Sequence, residues 1–414
     1  MKKKLLSLLL VAAMTLSLAA CGGSSDADTN ADATTQEDAN AGVESEATNE
    51  EAEAEGETTG EATNVALDGS WPEETIKIGV VGYDSTNEQQ ISVQEYYDYL
   101  SEYYNIEVMF SEDVADAEGE LNFIADCAAA GCKAIIAYYN EALEQSALTA
   151  ADYGMYYWGG FGGDENAYNA VKDNEYYLGG YTLGQAEYEA GRSMALALAE
   201  QGRKKIVLCS GGASMGVPMF VERKQGFLDG MEEANANGAG MEIVYEVEGW
   251  PGTDAFTAAQ TSVMGMDIDA IASTFEIAMW FQLVMESGKA ESISLACVGS
   301  VSDTYKTFVD SGLITCVVYD NTEVVFGNAI PMILNAVAGN KLVNEDGSAI
   351  LVPVERWTIT SAEQFNAIYD VHSAGNYIID AEDIANLIVE LNPNMTTDEF
   401  MNYYGSFNID SIGQ

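Results

Sequence analysis

The sequence predicts an α/β fold made of two Rossmann-like lobes, each with a parallel, doubly wound sheet. Three observations predict it. Short apolar runs typical of strands alternate with segments of helical length and spacing. This series runs from residue 76 to residue 180 and starts again at residue 188. The body of the chain, residues 71–414, exceeds the size at which single cores usually stop growing, so two lobes are expected.

The first series predicts five strands and three helices. Gly131 and Gly154 each follow a helical segment, where glycine suits the left-handed residue that ends a helix. The predicted strands are residues 76–81, 106–110, 133–139, 155–158 and 176–180, and the predicted helices are 92–103, 121–130 and 143–153.

The second series repeats the alternation. The predicted helices are residues 188–201, 219–236, 256–264 and 276–287, and the predicted strands are 205–210, 241–247, 270–273 and 294–298. Repeated βα units of this length place helices on both faces of a parallel sheet.

The N-terminus has the pattern of an export signal, predicted over residues 1–20. Three lysines precede an apolar stretch, residues 5–18, that is too short for a spanning helix. The stretch closes on Leu18-Ala19-Ala20-Cys21, which resembles the bacterial lipobox. We therefore expect lipid on Cys21, because two acyl chains give a stable anchor. The alternative is an ordinary secretory peptide with a chance cysteine.

Residues 21–70 predict a disordered acidic tether behind that cysteine. Between residues 22 and 70 there are fourteen Asp or Glu and no Lys or Arg. Such a segment cannot bury enough apolar surface to offset the entropy lost on ordering. We expect a protein held by its lipid on the extracytoplasmic side of the cell membrane.

Composition excludes several partners. The chain carries 67 acidic and 16 basic residues, a net charge of −51, which argues against binding nucleic acid. The chain has one histidine, His372, and no CxxC motif, so we expect no metal site and no cofactor. Cys127 and Cys132 lie around a helix end, where a disulfide is possible. We expect a monomer.

Six strings in the predicted βα units carry a family resemblance. They are Ile78-Gly79-Val80-Val81, Gly131-Cys132-Lys133-Ala134-Ile135-Ile136, Tyr188-Glu189-Ala190-Gly191-Arg192, Arg223-Lys224-Gln225-Gly226-Phe227, Cys297-Val298-Gly299 and Ser311-Gly312-Leu313-Ile314. In this order and spacing they resemble the type I periplasmic binding proteins, the ribose- and galactose-binding-like solute receptors of ABC importers. The resemblance spans about residues 76–335.

The resemblance implies two lobes joined by a three-crossing hinge that closes on a ligand. Lobe one would be residues 75–186 plus 322–350, and lobe two residues 187–321 plus 351–380. A hairpin over residues 341–354 would supply the third crossing, and residues 381–414 would form a C-terminal helical extension. The implied role is capture of a sugar or sugar-like ligand for an ABC permease. The alternative within the fold is a sensory protein that presents its ligand to a receptor.

Ligands in open α/β sheets bind beyond the carboxyl ends of the strands, so the candidate residues lie in the loops there. Aromatic walls and oxygen acceptors are expected from Tyr83, Asp84, Asn87, Tyr138, Trp158, Phe161, Trp250, Glu276, Trp280, Tyr319, Asp320 and Asn321. We interpret Arg223 as a structural residue. An aromatic, acid-lined cleft suits a polyhydroxylated or a cationic ligand.

The chain departs from the family's sugar-reading pattern at several of these loops. Val221 stands where the family has Arg, Phe275-Glu276 where it has Asn-Asp, and Val301 where it has Asp. The loop over residues 83–90 also lacks the family's Asn-Pro-Phe-Phe. These departures weaken the expectation of a standard pentose or hexose.

An enzyme is the competing hypothesis. Gly212-Ala213-Ser214-Met215-Gly216 matches G-x-S-x-G between a predicted strand and a predicted helix, as in the nucleophile elbow of hydrolases. His372 lies downstream, so the order Ser, Asp, His is available. The family resemblance places this loop at the ligand cleft instead, and we expect no catalytic residue.

Overall fold

The computed structural model describes residues 67–114, 116–137, 142–161, 165–182 and 185–412. The predicted signal segment, Cys21 and most of the tether lie outside the described residues, and so does Tyr138. Within the described residues, no helix combines the length and apolar character needed to cross a membrane.

Within the described ranges, twelve strands form the framework. They are β1 (Ile76–Val80), β2 (Ile106–Phe110), β3 (Ala134–Ala137), β4 (Tyr156–Phe161), β5 (Tyr177–Thr182), β6 (Lys205–Gly211), β7 (Glu242–Glu248), β8 (Ala270–Ser273), β9 (Ser294–Val298), β10 (Ile314–Tyr319), β11 (Ile350–Pro353) and β12 (Trp357–Ile359).

Fourteen α-helices are described around them. They are α1 (Glu88–Tyr103), α2 (Ala117–Ala130), α3 (Leu143–Asp152), α4 (Glu165–Val171), α5 (Ala186–Glu200), α6 (Pro218–Ala236), α7 (Asp254–Met264), α8 (Phe281–Ser287), α9 (Asp303–Asp310), α10 (Thr322–Val325), α11 (Ala329–Val337), α12 (Ala362–Ser373), α13 (Ala381–Asn386) and α14 (Thr397–Gly405). Short 3₁₀ helices cover Gly212–Met215, Ala278–Trp280 and Ile409–Ser411.

The strands form two six-stranded sheets. The first has the order β11-β5-β4-β3-β1-β2, with every pair parallel. The second has the order β12-β10-β9-β8-β6-β7 and is parallel except for β12, which runs antiparallel to β10. All four residues of β3 and of β8 are buried, as in strands covered on both faces. The predicted two-lobed α/β fold is confirmed.

The strand order makes the chain pass three times between the sheets. The passages follow β5, β10 and β11. The predicted hairpin over residues 341–354 is wrong, because its apolar half forms β11, which pairs in parallel with β5. The third passage therefore lies at residues 354–356, whereas the sequence placed it after residue 350.

Two of the family-like strings meet where α5 crosses α6. A Cβ atom on Gly191 would overlap the carbonyl oxygen of Arg223, and one on Gly226 would overlap the carbonyl oxygen of Tyr188. Glycine at both positions lets the two helix backbones touch. This contact fixes the N-terminal end of α6, which carries Phe220 and Arg223 toward the site.

The last fifty residues contact both lobes. Helix α12 packs on α9 of the second lobe. Beyond it the chain turns to the first lobe, where the Tyr96 hydroxyl donates to the Ile379 carbonyl at 2.9 Å and the Tyr104 hydroxyl to the Ala381 carbonyl at 2.6 Å. Helix α14 packs on β11. This segment thus adds a packed connection to the three backbone passages.

The cysteines of the described residues are buried free thiols. The possible disulfide between Cys127 and Cys132 does not form; instead the Cys132 amide donates to the Cys127 carbonyl at 2.9 Å. That bond belongs to the turn in which Gly131, at φ 81°, ends α2.

Candidate functional site

A cleft of about 550 Å³ opens between the lobes, beyond the carboxyl ends of the strands. The first lobe and the second lobe both line it. Its lining residues are Tyr83, Asn87, Glu88, Gln89, Ser92, Tyr181, Val217, Met219, Phe220, Arg223, Trp250, Phe275, Glu276, Val298, Gly299, Ser300, Val301, Ser302, Tyr319, Asp320, Thr322, Phe326 and Arg356.

The first lobe presents the start of α1 to the cleft. Asn87 caps this helix, with its side-chain oxygen accepting from the Gln89 amide at 2.9 Å. The Gln90 side chain turns back to accept from the Tyr83 and Asp84 amides, each at 3.0 Å. These bonds hold the loop after β1 against the helix and fix Tyr83 on the cleft wall.

The second lobe contributes an aromatic platform. Trp250 lies edge-to-face against Phe220, with centroids 5.0 Å apart, and against Phe275, with centroids 5.8 Å apart. Phe220 and Phe275 also meet edge-to-face at 6.1 Å. Trp250 keeps 39% of its surface exposed, although it belongs to this cluster. Its ring is therefore held in place by its neighbours and remains accessible to a ligand in the cleft.

An ion-pair network closes the base of the cleft. The Arg356 guanidinium donates to Asp320 Oδ1 at 2.6 Å and to Glu187 Oε2 at 2.6 Å. Arg223 donates to the same Glu187 carboxylate, and to the Thr274 carbonyl at 2.7 Å. Burial opposes ionisation of Glu187, but Arg356 and Arg223 outweigh it and lower the pKa of that carboxyl. The four groups compensate one another's charge.

The passages between the lobes meet in this network. Glu187 follows the first passage, Asp320 lies on the second and Arg356 on the third. The network therefore joins all three backbone passages between the lobes.

Two further carboxylates face the cleft from opposite lobes. Glu88 is the first residue of α1, and Glu276 follows β8. Glu276 accepts hydrogen bonds from the Tyr305 hydroxyl and, at 3.0 Å, from Ser300. Burial, together with the charge of Glu88, raises the pKa of Glu276 to about 7, even though both hydrogen bonds favour the carboxylate.

Half of the residues predicted from the sequence line the cleft. The structure brings together Tyr83, Asn87, Trp250, Glu276, Tyr319 and Asp320. They come from loops that follow β1, β7, β8 and β10 and from the end of β10, as the rule for open sheets predicts.

Four predicted residues lie outside the lining, each for a local reason. Asp84 accepts from the Thr86 amide at 2.9 Å within its own turn. Trp158 is buried and donates to Asn328 Oδ1 at 3.0 Å. Trp280 is buried in the core of the second lobe, and Asn321 caps α10 by accepting from the Val324 amide at 2.9 Å. The Phe161 side chain lies outside the described part of the chain.

Sequence reasoning missed Glu88, Phe220 and Arg356. Residues 83–90 were predicted to be a loop, but Glu88 begins α1 there, whereas Phe220 lies within α6. Arg356 belongs to a passage whose position was predicted wrongly. Arg223, interpreted as structural, is both an ion-pair partner and part of the cleft wall. No local signal marks either arginine, since Arg223 is flanked by Glu222 and Lys224 and Arg356 follows Glu355.

The residues of the hydrolase hypothesis have separate surroundings. Ser214 is exposed in the 3₁₀ helix after β6. The His372 Nε2 atom pairs with Glu323 Oε1 at 2.7 Å, on α10 of the first lobe. Among the described residues, no group of three or more His, Cys, Asp or Glu is arranged to hold a metal ion.

No protein-family profile matches the chain, and no curated protein does. Solved structures do match it. A periplasmic solute-binding protein of an ABC transporter from Actinobacillus succinogenes 130z, with bound D-allose, is 18% identical with a TM-score of 0.56; the match covers 70% of this chain and 99% of that one.

Two other solute-binding proteins of ABC transporters match similarly. One from Bacillus halodurans C-125, with bound myo-inositol, is 15% identical with a TM-score of 0.53, covering 72% of this chain and 98% of that one. One from Bradyrhizobium sp. BTAi1, with bound bis-tris, is 14% identical with a TM-score of 0.57, covering 73% and 87%. At these identities the likeness establishes the fold. The sequence resemblance is confirmed at that level: the chain has the two-lobed type I fold of periplasmic solute-binding proteins of ABC transporters.

Proposed function

We propose that this protein is an extracytoplasmic solute-binding lipoprotein that captures a small, sugar or sugar-like ligand between its lobes for an ABC importer. The proposal rests on the cleft between the lobes. It lies at the strand ends, between two lobes joined by three passages. Neighbours with the same fold hold D-allose and myo-inositol.

The lining provides the contacts that such capture needs. Trp250 and Tyr83 stand on opposite lobes, so a ring entering the cleft can stack on one lobe and be covered by the other. Asn87, Ser300 and Ser302 offer neutral polar groups to hydroxyls. A ligand that contacts both lobes favours the closed arrangement, because it binds that arrangement more tightly.

The charged base of the cleft keeps the two lobes in register while they close. Arg356 and Asp320 sit on neighbouring passages and are joined at 2.6 Å. Their side chains are only 6% and 14% exposed, so the pair is little screened by water. In this proposal the walls of the cleft determine ligand specificity. The ion-pair network at the base is the point about which the lobes move.

The membrane location rests on the N-terminal sequence. Lipid on Cys21 and the acidic tether would hold the domain near a permease and raise its effective concentration there. Labelling of the expressed protein with a radioactive fatty acid tests this, since Cys21→Ala should abolish the label. A labelled Cys21→Ala protein would contradict it.

The binding role is tested by a thermal-shift screen over sugars, polyols, nucleosides and amines. A ligand that binds only the folded state raises the melting temperature by mass action. We expect at least one compound to do so in the wild type and to lose its effect in Trp250→Ala. Tyr153→Ala is the matched control, because Tyr153 is an aromatic residue 54% exposed outside the cleft lining. If no compound stabilises the wild type, or if Trp250→Ala responds equally, the proposed role in this cleft is wrong.

A further inference from the structure

The cleft lining contains acidic side chains that have no basic partner. Its cations are Arg223 and Arg356, and both are already paired within the network with Glu187 and Asp320. Among the described lining residues, no other Lys, Arg or His is present. Glu88 and Glu276 therefore face the cavity without a compensating positive charge.

Few hydrogen-bond donors surround these two carboxylates. Among the described residues, no hydrogen-bond donor reaches the Oε2 atom of Glu88, although that atom is buried. Glu276 is bonded only to neutral hydroxyls in the described contacts, those of Tyr305 and Ser300. Closing the lobes would withdraw both carboxylates further from water, which is costly unless a positive group accompanies them.

The walls indicate which kind of positive group fits. Hard metal ions take six or more oxygen ligands, whereas this cleft offers aromatic faces from Tyr83, Phe275 and Trp250 beside the carboxylates. An ammonium group donates to carboxylates and is also attracted to aromatic faces. It therefore satisfies both components of the lining.

We propose that the ligand carries a protonated amine, which Glu88 of the first lobe and Glu276 of the second lobe bind together as the cleft closes. This rests on the proposed function and narrows its ligand class. The amine would replace a repulsion between the lobes with two attractions, so its charge would contribute to closure as well as to recognition.

Matched pairs of probes separate the charge from the rest of the ligand. We choose tyramine with tyrosol, and glucosamine with glucose, because each pair differs by one amine in place of one hydroxyl. Binding is measured by calorimetry at pH 7. We expect an amine to bind about tenfold or more tightly than its neutral partner, the size of a charge-assisted hydrogen bond.

Variants assign the preference to the two carboxylates. Glu88→Gln and Glu276→Gln should each reduce the amine preference about tenfold while leaving binding of the neutral partner similar. Glu102→Gln is the control, since Glu102 is an exposed residue of the same helix as Glu88. Trp250→Ala should weaken both members of a pair, because the ring contacts the ligand regardless of charge.

A pH series provides a second readout. Glu276 lies near Glu88, Tyr305 and Cys297. Burial and the charge of Glu88 raise the pKa of Glu276 to about 7, so this carboxylate loses its charge as the pH falls through neutrality. An alkyl amine stays protonated between pH 5 and pH 8. Tyramine affinity should therefore rise with pH over this range in the wild type, and this rise should be absent in Glu276→Gln.

The outcomes separate this inference from the proposed function. Equal binding of amine and neutral partner, amine binding unchanged by both Gln variants, or no binding by either amine at millimolar concentration would each overturn the inference. Binding of glucose or tyrosol that is lost in Trp250→Ala would leave the proposed function standing. No binding by any of the four probes, together with a screen without a stabilising compound, would overturn both.

Discussion

Arg356 Nη1 lies 2.6 Å from Glu187 Oε2, so an ion pair joins the third passage between the lobes to the first helix after the first passage. Arg356 also holds Asp320 on the second passage. One side chain thus connects three segments that are far apart in sequence. The cleft stands directly on this junction, because Arg356 and Asp320 both line it.

Replacing Arg356 should destabilise the protein strongly. Arg356→Met removes the partner of two nearly buried carboxylates, and breaking such a pair typically costs about 3–5 kcal/mol. The free energy of unfolding in urea measures the change. Arg192→Met is the matched control, since Arg192 also contacts two glutamates but at the surface. Its effect should be much smaller, because water screens exposed pairs. Equal losses in the two variants would show that burial of the network adds nothing.

The pKa of Glu276 predicts how stability depends on pH. It is raised from 4.5 to about 7 in the folded protein, mainly by burial. The folded state therefore binds a proton more readily than the unfolded state. This contribution, at most about 3 kcal/mol, is fully present below pH 4.5 and is lost as the pH rises through 7.

Glu276→Gln should remove the loss of stability that accompanies the rise in pH through 7. The variant should melt at a higher temperature than the wild type at pH 8 and at a similar temperature at pH 4.5, measured without ligand. Glu102→Gln, an exposed substitution, should follow the wild type at both pH values. A wild type and a Glu276→Gln variant with parallel pH profiles would refute the raised pKa.

The contact between α5 and α6 should tolerate no methyl group. Gly191→Ala would place its Cβ against the Arg223 carbonyl, so the helices must separate at a cost of about 1–3 kcal/mol or more. Gly119→Ala is the control within a helix, because its nearest neighbours lie at 3.5 Å, an ordinary contact. The melting temperature of Gly191→Ala should be lower than that of Gly119→Ala. Equal melting temperatures would contradict the close crossing of the two helices.

Ser214 should not be required for ligand binding. Its hydroxyl is exposed and His372 is engaged by Glu323, so neither group is set up to activate the other. We expect no turnover of p-nitrophenyl acetate above the buffer rate, and unchanged ligand affinity in Ser214→Ala. Ester hydrolysis by the wild type that disappears in Ser214→Ala would revive the hydrolase hypothesis.

The sheets were predictable because their strands are short, mostly apolar and separated by segments of helical length. Residues 106–110, 270–273 and 294–298 were predicted with the observed bounds. The segment over residues 341–354 was not, since a turn at Asp346-Gly347 is compatible with a hairpin and with a loop that leads into a parallel strand. Only the pairing with β5 distinguishes the two.

The cleft was predictable in part for a similar reason. Residues directly after a strand reach the cleft by topology, which is why Tyr83, Trp250 and Glu276 were found. Trp158 lies within β4 and Trp280 in the 3₁₀ helix after β8, and both side chains turn into the core. Arg356 depends on a tertiary ion pair with residues 36 and 169 positions away, which no local pattern contains.

Calorimetric titration of the best compound from the screen into wild type, Trp250→Ala and Tyr153→Ala tests whether the ligand binds in the interlobe cleft. If the interlobe cleft is the binding site, the wild type and Tyr153→Ala will bind one ligand per chain with similar affinity, and Trp250→Ala will lose about tenfold or more. Equal affinity in all three proteins would contradict a binding site in this cleft.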